Sequence, residues 1–253
     1  MEFRRRRRKT LIMSRMSSKA LRKQYDGRYV VENLSLEISS GEIVGLLGPN
    51  GAGKTTSFQI IVGLIRPDGG SIEIDNEDIS HFPIHMRAKR GIGYLPQEPS
   101  IFRSLTVEQN ILAIAELRKD INKKERTALV DGLLEEFRLG QIRTRRATKL
   151  SGGERRRLEI ARTLAINPKF ILMDEPFAGV DPISIGSMKS EIQGLANKNI
   201  GILITDHQVR ETLEICHRAY IVSEGHVIAE GTTDTILSNR KVRQVYLGND
   251  FSL

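Results

Sequence analysis

Residues 43–64 limit the possible folds more than any other stretch of this chain. Five apolar residues, Ile43–Leu47, read as a short strand buried on both faces. They run into Gly48-Pro49-Asn50-Gly51-Ala52-Gly53-Lys54-Thr55, and Thr55–Leu64 has helical character. Strand, glycine-rich turn, helix is the context in which G-x-x-x-x-G-K-[ST] cradles phosphates. The glycines let backbone wrap closely around an anion, and the helix N-terminus offers unpaired N–H groups and a positive dipole end. Lys54 is placed to neutralise β- and γ-phosphates, and the Thr55 hydroxyl to ligate Mg2+. The motif predicts a nucleotide site. Alone it separates neither ATP from GTP nor a motor from a switch.

The flanking sequence predicts an α/β fold. Tyr29–Ile38 alternates loosely, as a half-buried antiparallel strand does. Arg66–Gly70 is a turn signal, and Ser71–Ile74 a short strand. From about residue 100 to 165 the character becomes helical. Thr106 with Gln109, Asn122 with Glu125, and Ser151 with Glu154 have capping-box spacing. Leu129, Leu133, Leu134 and Phe137 mark one apolar helical face, which Gly140 is expected to end. Strand-like runs return at Phe170–Met173 and Ile202–Thr205, so a helical lobe is inserted into a parallel sheet.

Several polar residues fall at strand ends. Asp174-Glu175 follow Phe170–Met173, and carboxylates there lie in the crevice where open α/β sheets bind ligands. Asp174 is placed to hold a Mg2+ shell through water, and Glu175 to orient or deprotonate the attacking water. His207 follows the next strand, positioned either to bond a γ-phosphate or to hold Glu175 and water. Gln97, after Gly93-Tyr94-Leu95-Pro96, can reach either Mg2+ or that water from the junction with the helical lobe.

Composition excludes some classes. Hydrophobic residues at 39% and charged residues at 28% fit a soluble globular chain and argue against bulk disorder. No run approaches the ~18 apolar residues of a membrane span, so a chain serving a membrane works from the water side. The one cysteine, Cys216, excludes an internal disulfide and reads as a buried small residue. Glu2 and Arg4–Lys9 carry +5 of the net +8, leaving an unremarkable remainder. Residues 1–17 are therefore expected to be a disordered basic arm, which could bind nucleic acid or anionic lipid headgroups or equally be a leader or a start-site effect given Met13 and Met16, and no signal-peptide run follows it. Arg143, Arg145, Arg146, Lys149 and Arg155–Arg157 read as a solvated face with local salt bridges.

Leu150-Ser151-Gly152-Gly153-Glu154 narrows the choice. Ser151 caps a helix whose first turn holds two poor helix formers, which makes sense if a ligand must approach the backbone. The segment resembles the signature motif of ABC ATPases. Gly48–Thr55, Gln97, Ile171–Glu175, Val180-Asp181 and His207 are similar to that family's Walker A, Q-loop, Walker B, D-loop and H-loop, in order, across residues 18–240. The resemblance implies a P-loop NTPase with a RecA-like parallel sheet, a small antiparallel β subdomain and a helical subdomain, over 18–253. It implies ATP contacts through Gly48–Thr55 and Thr56, with Tyr25 either stacking on adenine or serving as a core tyrosine. It also implies a homodimer in which Ser151, Gly152, Gly153 and Glu154 of one copy complete the γ-phosphate site of the other. Glu154 stands where glutamine is commoner, leaving the backbone anion seat intact.

Arg90–Arg103, Leu150–Arg157, Phe177–Ile183 and Val245–Phe251 resemble most closely the ATPase subunits of Gram-negative lipopolysaccharide exporters. That implies a peripheral position on the cytoplasmic face of the inner membrane and two integral membrane subunits as partners. The glycolipid would be touched only through them, and no nucleic acid is expected. Phe102 and Arg103 are candidates for the groove receiving their coupling helices, the alternative being a phenylalanine packed within the helical lobe. An importer motor, for instance for branched-chain amino acids, shares the catalytic motifs. A non-transport ABC protein acting on nucleic acid has only the basic arm in its favour.

Overall fold

The computed structural model describes residues 13–248, 251 and 253; the basic run Arg4–Lys9 and the tail residues Asn249 and Asp250 lie outside them. The chain opens with β1 (Arg15–Tyr25) and β2 (Arg28–Ser39), followed by β3 (Ile43–Leu47), α1 (Lys54–Val62), β4 (Gly69–Ile74) and β5 (Glu77–Asp78). Next come α2 (Ile84–Lys89) and β6 (Ile92–Leu95), then the helical lobe of α3 (Val107–Ala115), α4 (Lys123–Glu136) and α5 (Gly152–Leu164). The chain returns through β7 (Phe170–Asp174), α6 (Pro182–Asn197), β8 (Gly201–Thr205) and α7 (Val209–Ile215). It finishes with β9 (Arg218–Ser223), β10 (His226–Gly231), α8 (Thr233–Ser238) and short turns.

Two sheets result. β2-β1-β4-β5 is antiparallel, and the six-stranded sheet runs β10-β9-β3-β8-β7-β6. All its pairings are parallel except β9 with β10. β3, β7 and β8 are buried at every position, which explains their unbroken apolar sequences. One core cluster joins the two sheets around Phe58, Ile60 and Ile61 of α1; another joins the opposite face of the large sheet, through Ile171 and Ile202, to α6 and the helical lobe.

All three capping boxes form, at Thr106, Asn122 and Ser151. α1 ends at Gly63, whose left-handed φ of 92° lets its N–H reach back to Gln59 and Ile60. The guanidinium of Arg87, on α2, is fully buried and donates to the carbonyls of Ile60, Ile61, Ser80 and Phe82. It satisfies the orphan carbonyls at the end of α1 and fixes that helix against the segment leading to Gln97. Burial pulls its pKa down to about 10.

Three expectations need adjusting. β1 begins at Arg15, so Arg15–Ser17 belong to the sheet and not to the basic arm. β1 gave no strand signal because its register slips near Ala20, which takes a φ of 49°, so its alternation is broken. α4 stops before Gly140: Phe137 caps it, and Arg138 supplies the left-handed residue with φ 53°. Gly140 opens a short 3-10 turn instead.

Candidate functional site

The strand order β3-β8-β7-β6 places four chain exits side by side at the carboxyl end of the sheet, with neighbouring strands about 4.8 Å apart. β3 delivers the loop Gly48–Thr55, β8 delivers Asp206-His207, β7 delivers Asp174-Glu175, and β6 delivers Gln97. Residues far apart in sequence are thereby assembled into one site.

The loop is held by its own fold. Gly48 has φ 151° and Gly53 φ 96°, and a Cβ on either would lie 2.0 Å from the Val222 carbonyl oxygen or 2.3 Å from that of Val30. These two glycines are required before any ligand is considered. Lys54 is buried, and its ammonium donates to the carbonyls of Gly48 (2.7 Å) and Pro49 (2.8 Å). Burial lowers its pKa, while the Glu175 carboxylate opposes that shift. Gly53, at the N-cap of α1, provides no side-chain cap, and no acidic residue sits in the first turn. The first-turn N–H groups and the positive helix end therefore fit a phosphate chain. Asn50, Gly51 and Thr55 are exposed, Thr56 is half-buried and Ala52 is buried.

Glu175 is the most constrained residue of the site. Its φ is 48°, a left-handed backbone that a glutamate rarely adopts, and its N–H donates to the Thr205 carbonyl at 2.7 Å. One carboxylate oxygen lies 2.6 Å from His207 Nε2, and the other accepts from Gln97 Nε2 at 2.6 Å. Of the two roles open to His207, the structure places it at Glu175. Gln97 donates its amide nitrogen there also, which leaves its amide oxygen free of that contact.

Asp174 is buried beside Glu175 and Asp206. Desolvation, then the charges of Glu175 and Asp206, raise its pKa to about 6. Two positioning residues carried no signal in the sequence. Tyr94 lies near Asp174, and burial followed by the Asp174 charge pushes its phenol to about 12. Buried Asp206 accepts the N–H groups of Phe177 and Gln208, each at 2.8 Å, fixing the segment that follows Glu175. Among the described residues no group of three or more His, Cys, Asp or Glu could hold a metal ion. The donors present, a hydroxyl (Thr55), an amide (Gln97) and one carboxylate (Asp174), fit Mg2+, which keeps waters and takes few protein ligands beside phosphate oxygens.

The signature segment sits on the surface. Ser151 N–H donates to Glu154 at 2.8 Å, Glu154 N–H donates back to Ser151 Oγ at 3.3 Å, and Arg145 pairs with Glu154 at 3.2 Å. Gly152 and Gly153 are exposed, and a Cβ on either would meet no atom within 4 Å. They line a cleft of about 250 Å³ with Gln97, Glu175 and Asp181, and no residue of 48–56 lines it. Asp181 caps α6, accepting from Ser184 N–H at 3.0 Å.

Tyr25 is 44% exposed at the end of β1, with Lys23 Nζ 5.4 Å from its ring centre, so it is not a core residue. Phe102 is also 44% exposed, with Arg162 5.0 Å from its ring, and Arg103 is exposed beside it. The basic cluster is partly salt-bridged, Arg143 to Glu108 and Asp131 and Arg156 to Glu159, but it is not the wholly solvated face expected: the Arg156 side chain is only 13% exposed, and burial lowers its pKa. Cys216 is a free thiol pushed up to about 12 by burial. Among the described residues no helix is long and apolar enough to cross a membrane.

Residues 31–178 match the family model described as ABC transporter, and residues 226–252 match that of the branched-chain amino acid ATP-binding cassette transporter. A protein of Haemophilus influenzae named lipopolysaccharide export system ATP-binding protein LptB is 57% identical over 95% of this chain and 100% of its own length. The ADP conformation of MJ1267, an ATP-binding cassette of an ABC transporter, superposes with a TM-score of 0.82 at 29% identity, covering 94% of this chain and 100% of that one. A dimeric post-hydrolysis state of the cassette MJ0796, bound to ADP and Pi, gives a TM-score of 0.75 at 26% identity over 86% and 98% of the two chains. With the phosphate loop, the paired acids and the signature helix in the family's arrangement, this chain belongs to the nucleotide-binding ATPases of the ABC transporter family.

Proposed function

We propose that this chain is the ATP-hydrolysing motor of an exporter that extracts lipopolysaccharide from the inner membrane. It works as a homodimer on the cytoplasmic face, bound to two integral membrane subunits. The observation that carries the motor reading is the contrast between two glycine pairs. Gly48 and Gly53 are required by contacts within the chain, whereas Gly152 and Gly153 have no neighbour that excludes a side chain. Their bare backbone makes sense if something from outside the chain must approach it. The dimeric relative bound to ADP and Pi supports a second copy as that visitor.

In a head-to-tail pair, Ser151 and the first-turn N–H groups of one copy complete the γ-phosphate seat begun by the partner's loop, sandwiching two ATP molecules. Lys54 and the loop N–H groups hold the phosphates, and Tyr25 stacks on adenine. Thr55, Asp174 and Gln97 hold Mg2+, which when bound supplies charge neutralisation at the phosphates. Glu175, fixed by His207 and Gln97, orients a water and takes its proton. The water oxygen bonds to the γ-phosphorus, the bond to the β,γ-bridging oxygen breaks, and ADP and phosphate leave. Closure on ATP and opening after hydrolysis drive the membrane subunits through Phe102 and Arg103.

The substrate assignment rests on relatives of full-length similarity named for lipopolysaccharide export. The match of residues 226–252 favours a second reading, the motor of a branched-chain amino acid importer. Affinity capture of the tagged chain from native membranes distinguishes them. Co-purification of a lipopolysaccharide-extracting membrane pair, with ATPase activity raised by that pair and not by nucleic acid, is the expected result. Recovery of amino acid permease subunits would overturn the export assignment.

A further inference from the structure

The nucleotide site leaves unused a buried carboxylate on the signature helix. Glu159 lies in α5 seven residues after Gly152, so the two share a face of the helix, about 10 Å apart along its axis. Glu159 is buried, and both of its carboxylate oxygens have partners. Oε1 accepts the backbone N–H of Ser100 at 3.1 Å, and Oε2 accepts from Arg156 Nη1, one turn earlier on α5, at 3.2 Å. Arg162, one turn later, donates to Ser100 Oγ at 2.6 Å and sets its guanidinium 5.0 Å from the Phe102 ring centre. Phe102 is held from a second helix as well. The buried side-chain amide of Asn110, on α3, accepts the Phe102 N–H at 2.8 Å and donates to the Phe102 carbonyl at 3.0 Å.

Residues 100–102 are thereby fastened to the helical lobe, while Gln97, three residues before Ser100, reaches back to Glu175 at the sheet. The segment that carries Phe102 and the helix that carries the signature turn move together for as long as Ser100 stays on Glu159. A neutral acceptor would satisfy the Ser100 N–H. A buried carboxylate is costly to desolvate, but it accepts more strongly and holds Arg156 on the same helix, which makes the tie stiffer. We infer that Glu159 is a positioning residue that transmits displacement of the membrane-facing groove to the signature helix. A push on Phe102 moves Ser100, and through Glu159 it moves the turn Ser151–Gly153 that meets the partner copy's nucleotide. This deepens the motor reading and rests on its placement of Phe102 and Arg103 against the membrane subunits.

Glu159→Gln keeps the shape and one acceptor but removes the charge. The double variant Glu159→Ala with Arg156→Ala removes the tie and leaves no buried charge unpaired. Each is placed in the full complex purified with its membrane subunits, and ATP turnover is compared with that of the same chain alone. Basal kcat and recovery of the subunits are expected to stay at the wild-type level. The ratio of complex to basal kcat should fall about three- to tenfold, as for a lost hydrogen bond. A merely structural glutamate would lower both rates together and leave that ratio unchanged. An unchanged ratio in both variants therefore overturns the role of Glu159. Loss of the subunits from both complexes overturns it too, because Glu159 would then build the groove and not transmit from it. Phe102→Ala is measured beside them: full recovery of the subunits at the wild-type ratio overturns instead the placement of the groove.

Discussion

Gly153→Ala is expected to make the isolated chain more stable and the enzyme slower. Gly153 lies in the first turn of α5, and a Cβ there meets no atom within 4 Å, so nothing in the fold resists the methyl. Replacing a helical glycine by alanine gains about 0.5–1 kcal/mol in a helix interior, and somewhat less in a first turn. The same methyl projects where a phosphate oxygen has to come within about 3 Å of backbone N–H groups. Losing one such donor at a site of developing charge costs about tenfold or more in kcat. Gly132→Ala serves as the control: it too meets nothing within 4 Å, but it sits in α4, away from the signature segment. Urea denaturation without nucleotide should show both variants stabilised, and a steady-state phosphate-release assay should show only Gly153→Ala impaired. Full turnover in Gly153→Ala would refute the idea that its bare backbone serves an approaching nucleotide.

Glu175→Gln keeps the shape of the His207 and Gln97 contacts but removes the base, so kcat should fall about 10²- to 10⁴-fold with ATP binding retained. Single-turnover hydrolysis and size-exclusion chromatography with MgATP check the loss and the accumulation of a nucleotide-bound dimer. Asp174 has its folded pKa raised from 3.8 to about 6, so its ionised form opposes folding, and stability is lost as pH rises through that interval. Asp174→Asn should therefore stabilise the nucleotide-free chain at pH 8, by up to about 3 kcal/mol, and change it little at pH 3.5 in denaturation curves. Phe102→Ala removes an exposed ring stacked by Arg162. Basal hydrolysis should persist, while recovery of the membrane subunits in a pull-down falls.

What the sequence disclosed was mostly local. The three capping boxes are read from residues three apart, and each forms. The loop Gly48–Thr55 needs only its own strand and helix, and β7 and β8 are legible because burial on both faces leaves continuous apolar runs. Strand β1 was hidden because its bulge at Ala20 destroys the alternation by which exposed strands are recognised. The end of α4 was misplaced because Arg138, not a glycine, takes the left-handed position. In the site, Asp174 and Glu175 were legible as acids at a strand end. The hold of His207 on Glu175 was one of the two roles read for it, but the matching hold by Gln97 was not, since it depends on β6 and β7 lying side by side. Tyr94 beside Asp174 and Arg87 on the end of α1 are likewise tertiary arrangements without a sequence period.

The central claim is that one chain cannot complete its own nucleotide site. Mixing two inactive variants tests this directly. Lys54→Ala disables the loop, and Gly153→Asp places a carboxylate on the exposed turn of α5 where the fold has room for it. In a head-to-tail pair formed from one copy of each, one site is intact and the other doubly defective. The mixture should therefore recover ATPase activity well above the sum of the two separate variants. If the mixture stays as inactive as its components while mixed dimers are shown to form, the signature acts within its own chain and the composite site is wrong.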